Sequence, residues 1–371
     1  MSKEVLEYTE EELRNLSTEE LKRLLNEAES GEVLYNTKQM VSKLSLNSLY
    51  GALANKYFPL FNLDMAPAIT GNGRYFIALL GQNINKTLSE LYGYDVQFTI
   101  YGDTDSVYFS LDKFVQKEYP NHSIQETTDW LDSFIKQYVD PIIEDTVSKF
   151  SNKLNAFYPE AIGADREVIA DKAVFTAKKK YFARVIDSEG VRYDEPYKIK
   201  VTGLEIAKSS TPDFVKKKLK ENAIKLILDS NKDEIVKWVD EVKKEFIEQP
   251  LDSICKASSV SRVDYNLGKD IGVPINSRAA IVYNNYIKKN NLEDTFNLVE
   301  ADDNIRMCHL LTPNPFHDDI IGFKDSAILE DHKQYIDYDT NFQKYFQAAL
   351  ELMVAPLGYD LNKTTEVLDE W

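Results

Sequence analysis

Cysteine is nearly absent: Cys255 and Cys308 are the two in 371 residues. They make no disulfide framework, so a reducing cytosol is the expected setting. Histidine is almost as scarce. His122, His309, His317 and His332 show no metal-ligand spacing, which argues against a zinc centre. No run of about 18 apolar residues exists, so no membrane span is expected. The first residues, MSKEVLEYTEEELRNLSTEEL, are charged and helix-like, which excludes a signal peptide. There is no Gly/Ser linker, no internal repeat and no low-complexity tract. An excess of basic residues is lacking too. The formal charge is -17, whereas nucleic-acid binders usually carry a basic footprint. Net charge does not say where charges sit, however. Basic runs occur at KKKY (178–181) and KKKLK (216–220), and either, taken alone, reads as a solvated face.

What the chain does have is aromatic and apolar weight, with 22 Tyr and 18 Phe. That predicts folded structure, and the length allows two or three domains. Residues 8–28 read as helix, with a second segment starting at Thr18 after Leu16-Ser17. Residues 34–54 read as a longer helix and 65–92 as another. The period then changes. VQFTI alternates, a Gly-Asp turn follows, and VYFSL alternates again, which predicts a β-hairpin. Residues 124–156 return to helix, 166–202 are β-rich with a turn at DSEG (187–190), and 212–249 are helical and heavily charged. The rest mixes helices and short strands, with a helix near 340–354 and a polar tail. The fold class is therefore α+β, with boundaries near 55 and 203.

Two constellations carry chemistry. The first is YGDTDSVYF, residues 101–109. A tight turn would present Asp103 and Asp105 beyond the sheet, where both carboxylates can reach a cation. Mg²⁺ takes oxygen ligands, commonly one or two carboxylates with phosphate oxygens and water. Two such ions about 4 Å apart serve phosphoryl transfer. The bland alternative is that Asp favours turns by bonding its own backbone, which suffices for an isolated GD or TD but not for the whole string. The second is KLSLNSLYG, residues 43–51. On a helix Lys43, Asn47 and Tyr50 share one face, with Gly51 beside it leaving room for an approaching group. Leu46, Leu49 and Leu53 form another stripe, expected to pack inward. A lysine, an amide and an aromatic on one face suit a phosphate, a base and a sugar. An ordinary amphipathic helix with a rim tyrosine explains the same pattern.

KxxxNSLYG followed some 50 residues later by YGDTDSVY resembles the second and third polymerase motifs of family B DNA polymerases. Ala177-Lys178-Lys179-Lys180-Tyr181 is similar to that family's KKxY element, and Gly203-Leu204-Glu205 with Ser209-Ser210-Thr211-Pro212 looks like its approach to the thumb. Order and spacing fit the replicative enzymes of T-even-like bacteriophages, as do LSTEELKRLLNEAE and FQKYF (342–346). The resemblance covers nearly the whole chain, strongest at 40–110 and patchy through 250–335.

The resemblance implies a right-hand polymerase architecture: 1–54 as the C-terminal part of helical fingers, 55–202 as part of an antiparallel-sheet palm, and 203–371 as a mainly helical thumb with a tail. It implies template-directed DNA synthesis with two Mg²⁺ ions. Asp105 matches the main metal-binding aspartate and Asp103 its supporting neighbour; Asp165 and Glu167 look like auxiliary metal carboxylates. Lys43 matches the lysine on the incoming dNTP's phosphates, and Asn47, Tyr50 and Gly51 line the nucleotide. Lys178, Lys179 and Tyr181 match the primer-contacting element, with Lys208 and Arg278 as further DNA-binding residues.

The family's first motif, DxxSLYPS, is missing, together with the exonuclease domain and the first fingers helix. The initial Met-Ser-Lys reads as a natural start, so the expectation is a split polymerase whose companion chain supplies these parts. A shortened form of one longer chain is the alternative. Primer–template DNA and dNTP are the implied partners. The tail TTEVLDEW, with Val367, Leu368 and Trp371, is a candidate for docking on a sliding clamp. The competing reading is a non-catalytic DNA-binding or assembly subunit of a replication complex; an unrelated α+β enzyme with a fortuitous metal-binding hairpin is the third. A bacteriophage protein would act in the host bacterial cytoplasm.

Overall fold

A computed structural model describes residues 8–159 and 162–361, and the chain divides into two compact units. The first comprises residues 1–120 and 134–164; the second comprises 121–133 and 165–371.

In the first unit, α1 (Glu10–Arg14) is followed by α2 (Thr18–Leu53). Each starts with a capping box, Thr9 with Glu12 and Ser17 with Glu20, so two otherwise unpaired backbone N–H groups are satisfied at each start. The two helices expected at 18–28 and 34–54 are one continuous helix. Gly31, which lies between the two expected stretches, is tolerated inside a helix at about 1 kcal/mol, and no side chain packs against it. A second expectation fails more instructively. Leu46 and Leu49 do not pack inward; they are 70% and 49% exposed, and Leu24 is the buried residue of α2 among those described.

The core of this unit rests instead on α3 (Met65–Tyr92), at the expected bounds. Phe76, Leu80, Ile84 and Leu88 recur every fourth position and are buried. Phe76 packs on Phe150 of α6 (Asp140–Lys153), ring centroids 5.1 Å apart, and Asn83 donates to Thr146 of the same helix at 2.8 Å. α3 stops at Gly93, whose left-handed φ of 88° suits a residue without Cβ. The hairpin β1 (Thr99–Asp103) and β2 (Ser106–Phe109) follows, then α4 (Asp112–Glu118), whose Phe114 stacks on Phe98 at 5.2 Å. A π-helical segment, Ile135–Val139, leads into α6.

The second unit contains α5 (Ile124–Phe134) up to residue 133 and a mixed α/β body. β3 (Val168–Ala177) and β4 (Lys180–Ser188) form a long antiparallel hairpin; β5 (Val191–Arg192) and β6 (Lys198–Thr202) pair with β4. The chain reverses within DSEG, as its sequence predicts: Asp187 and Ser188 end β4, and Glu189-Gly190 lie between β4 and β5. α7 (Asp213–Lys218), a π segment (Leu219–Ala223) and α8 (Ile224–Asp229) precede α9 (Lys232–Glu248) and α10 (Leu251–Ile254). A second sheet, in the order β7 (Lys256–Ser259), β8 (Asn304–His309), β9 (Ile320–Phe323), packs on α11 (Ile275–Asn290). Gly322 permits this contact, since a Cβ there would lie 3.1 Å from the Ala279 Cβ and collide with Ile305. α12 (Tyr338–Phe342), a π segment (Gln343–Gln347) and α13 (Ala348–Val354) add Phe346, Leu350 and Val354 to a core shared with Phe182, Phe246 and Tyr283. The tail TTEVLDEW lies outside the described residues.

Candidate active site

The GDTDS hairpin is anchored from below by α3. Asn85 Oδ1 accepts both the Phe98 and Thr99 backbone N–H groups, at 2.8 and 2.7 Å, and Thr99 Oγ1 donates to the Gly81 carbonyl at 3.2 Å. The tip itself differs from the expected Gly-Asp turn. Gly102 lies within β1 opposite Val107, Asp103 ends that strand opposite Ser106, and the chain reverses over Thr104 and Asp105. Thr104 takes a left-handed φ of 46°, unusual for a β-branched residue, and the Asp105 N–H donates to the Asp103 carbonyl. Strain of this kind persists where the surrounding structure imposes it, and it clusters at functional sites.

The two carboxylates therefore differ. Asp103 is half-buried and accepts from Thr104 Oγ1 at 3.1 Å. Asp105 is exposed at the tip and, among the described residues, its carboxylate has no hydrogen bond or ion pair. A free, hard oxygen donor suits a magnesium ion. Among the described residues, no three His, Cys, Asp or Glu side chains gather to hold a metal.

Lys43, Asn47, Tyr50 and Gly51 all lie on the last third of α2, exposed. In the second unit, Lys178 and Lys179 are the two loop residues of the β3–β4 hairpin, both exposed, with Ala177 opposite Lys180. Lys179 has a left-handed φ of 62°. Tyr181 is buried and stacks on Phe175 with ring centroids 5.2 Å apart. Asp165 and Glu167 lie just before β3 and are exposed; Glu167 pairs with Lys200 at 3.3 Å. Lys208 pairs with Glu205, and Arg278 with Asp318 and Asp319 at 3.2 and 2.8 Å, so both cations are already engaged by carboxylates. The structure thus brings Asp103 and Asp105 together on one turn, Lys43 to Gly51 on one helix, and Lys178 to Tyr181 on one hairpin.

Comparison with known proteins decides the family. The family model for DNA polymerase family B matches residues 14–142, and that for divergent family B DNA polymerase matches 95–249. Together they take in both motifs and the lysine hairpin. The DNA-directed DNA polymerase of Escherichia phage RB69 is 32% identical over 97% of this chain, and that of Enterobacteria phage T4 is 28% identical over 95%. The chain belongs to the family B DNA polymerases.

This family B chain spans about two fifths of the length of those relatives, 41% and 40%. DNA polymerase 1 of Saccharolobus solfataricus is 28% identical over 53% of the chain. No helix of the described residues is long and apolar enough to cross a membrane.

Three features of this family B chain escaped the motif reading. Asn85 looks like any helical amide; its place 13 and 14 residues before two neighbouring strand N–H groups emerges only on folding. Gly203 belongs to the GLE motif, and its close approach to the Lys179 backbone, 24 positions earlier, has no local signal. Arg166 stands between Asp165 and Glu167 in DREV, where attention falls on the acids; a lone arginine between two acids in an otherwise apolar lead into a strand was the available signal.

Proposed function

We propose that this chain forms the polymerising part of a template-directed DNA polymerase. The observation that carries the reading is Asp105, exposed and unpaired on a strained hairpin tip. In the reaction a primer 3′-oxygen attacks the α-phosphorus of a dNTP; a new P–O bond forms, the α–β bond breaks and pyrophosphate leaves. Asp105, supported by Asp103, would hold magnesium, with Asp165 and Glu167 as auxiliary carboxylates. Two bound Mg²⁺ ions supply charge stabilisation for the attacking and leaving oxygens. Lys43 neutralises charge on the departing phosphates, and Asn47, Tyr50 and Gly51 face the nucleotide. Lys178 and Lys179 would hold the primer, with buried Tyr181 supporting their hairpin; Lys208 and Arg278 would exchange their carboxylate partners for duplex phosphates, contacts that set register and read no sequence. The fingers, palm and thumb divide near 55 and 203.

A companion chain supplies the missing first-motif aspartate and the exonuclease. In support, α2 exposes Val33, Leu34, Met40, Val41, Leu44 and Leu46, a long apolar surface for a helix exposed to water. The setting is the cytoplasm of a bacterial host, and the tail is a candidate for a sliding clamp.

The test is primer extension by the assembled enzyme carrying Asp105→Ala. Loss of a metal aspartate should remove several kcal/mol of transition-state stabilisation and abolish synthesis. Undiminished synthesis would make the chain a non-catalytic assembly subunit. Purification of the chain from its source with a stoichiometric protein bearing DxxSLYP would support the companion, and brisk extension by this chain alone would rule it out.

A further inference from the structure

We infer that Arg166 is a positioning residue for the two carboxylates that flank it, Asp165 and Glu167, and that buried Asp187 is the post to which it is tied. The inference rests on the proposed role of those carboxylates.

Asp187 is in β4 with its side chain 1% exposed. A carboxylate so placed needs compensating partners. Its Oδ1 accepts from Arg166 Nη1 and from the Gly190 N–H at 3.0 Å; its Oδ2 accepts from Arg192 Nη1 at 3.0 Å. Asp132 of α5 closes the figure, pairing with Arg166 Nη2 at 3.1 Å and with Arg192 Nη2. Each arginine bridges both aspartates, so these four side chains close a ring, and Arg192 Nη2 also pairs with Asp129 at 2.9 Å, which adds a third carboxylate to the two cations. A planar guanidinium offers separate nitrogens in a fixed fork to the two acids, a geometry that the compact ammonium of lysine does not reproduce.

The ring matters because of where Arg166 sits. Along 165–167, the irregular lead into β3, the exposure runs exposed, half-buried, exposed. Arg166 reaches inward to the buried Asp187, while Asp165 and Glu167 stay exposed on either side of it. The backbone here is held at Glu167, whose carbonyl accepts from the Glu189 N–H at 2.7 Å. Two neighbouring carboxylates repel and do not order one another. Tying the residue between them to a buried acid fixes the backbone of both without drawing on either carboxylate, of which Glu167 has Lys200 beside it at 3.3 Å. A brace serving stability alone has no need to occupy the one position between the two acids.

The test uses the assembled enzyme carrying Arg166→Lys, Arg166→Gln or Asp187→Asn, with Asp165→Asn/Glu167→Gln as the reference. Primer extension is titrated with Mg²⁺, and Mn²⁺ binding to the enzyme–DNA complex is read by electron paramagnetic resonance. The expected result is about tenfold lower kcat and several-fold weaker Mn²⁺ binding and Mg²⁺ half-saturation in Arg166→Lys. The KM for dNTP stays near the parent value; the thermal midpoint falls, since buried Asp187 loses part of its compensation, and metal binding is therefore compared at a temperature where every variant is folded. Asp187→Asn, which keeps the shape of the post, should shift the metal dependence in the same direction. Parental Mn²⁺ binding and Mg²⁺ dependence in the folded variants, alongside an impaired reference, would overturn the inference alone. An unimpaired reference would overturn the role of Asp165 and Glu167, and the inference with it.

Discussion

Gly203 and Lys179 meet backbone to backbone: a Cβ on Gly203, which has a left-handed φ of 64°, would collide with the Lys179 carbonyl oxygen. Lys179 is itself left-handed, at 62°. The turn that presents the lysine pair is thus seated on the start of the GLE segment. Gly203→Ala should combine φ strain with the clash and destabilise the second unit by roughly 2 kcal/mol or more. Chemical unfolding of the variant measures the loss. Binding to primer–template DNA should weaken as the Lys178–Lys179 turn moves. Unchanged stability would mean that the approach relaxes freely.

Asn85 makes a second testable tie. Replacing it with Ala leaves the Phe98 and Thr99 N–H groups without their acceptor at the base of the GDTDS hairpin. Each unsatisfied buried group is worth about 1–3 kcal/mol. Hydrogen exchange of the Phe98 and Thr99 amides should accelerate by one order of magnitude or more, while amides in the second unit keep their protection.

Lys43 is exposed, so its role can be tested without disturbing the fold. Lys43→Ala should leave thermal stability unchanged and lower kcat/KM for dNTP in the assembled enzyme by about 10–100-fold, the range of a charge-assisted bond. An effect on DNA affinity with none on dNTP use would move Lys43 out of the nucleotide site.

His309 gives a pH dependence. Burial, then the Lys344 ammonium, holds the imidazole below its ordinary 6.5. Its backbone is fixed on both sides by Asn341, which accepts the His309 N–H and donates to its carbonyl, each at 3.0 Å. Unfolding raises the pKa, so below about pH 6.5 the unfolded chain binds the extra proton first. Stability should be full above that pH and decline as pH falls through the folded value. Unfolding of the chain and of His309→Asn between pH 7 and 5 checks this; the variant should show the shallower slope.

Much of this was legible in the chain as written. Ser17 with Glu20 marks the start of α2, the apolar recurrence at Phe76, Leu80, Ile84 and Leu88 marks the inward face of α3, and the alternation around GDTDS marks a hairpin. These signals are local: caps, periods and turn preferences act over a few residues, so the sequence determines them before any distant contact forms. What folding alone decided is non-local. Leu46 and Leu49 have the spacing of a core stripe, yet they stay in water because burial depends on what faces them, and no period encodes that. The reversal moved from Gly102 to Thr104 because strand register with Val107 and Ser106 overrode local glycine preference. Gly203 beside Lys179, and Arg166 tied to Asp187 and Asp132, join residues that are 24, 21 and 34 positions apart. Such pairings follow from the tertiary path of the backbone, since hydrogen-bonding side chains look alike in sequence until a partner is brought within about 3 Å.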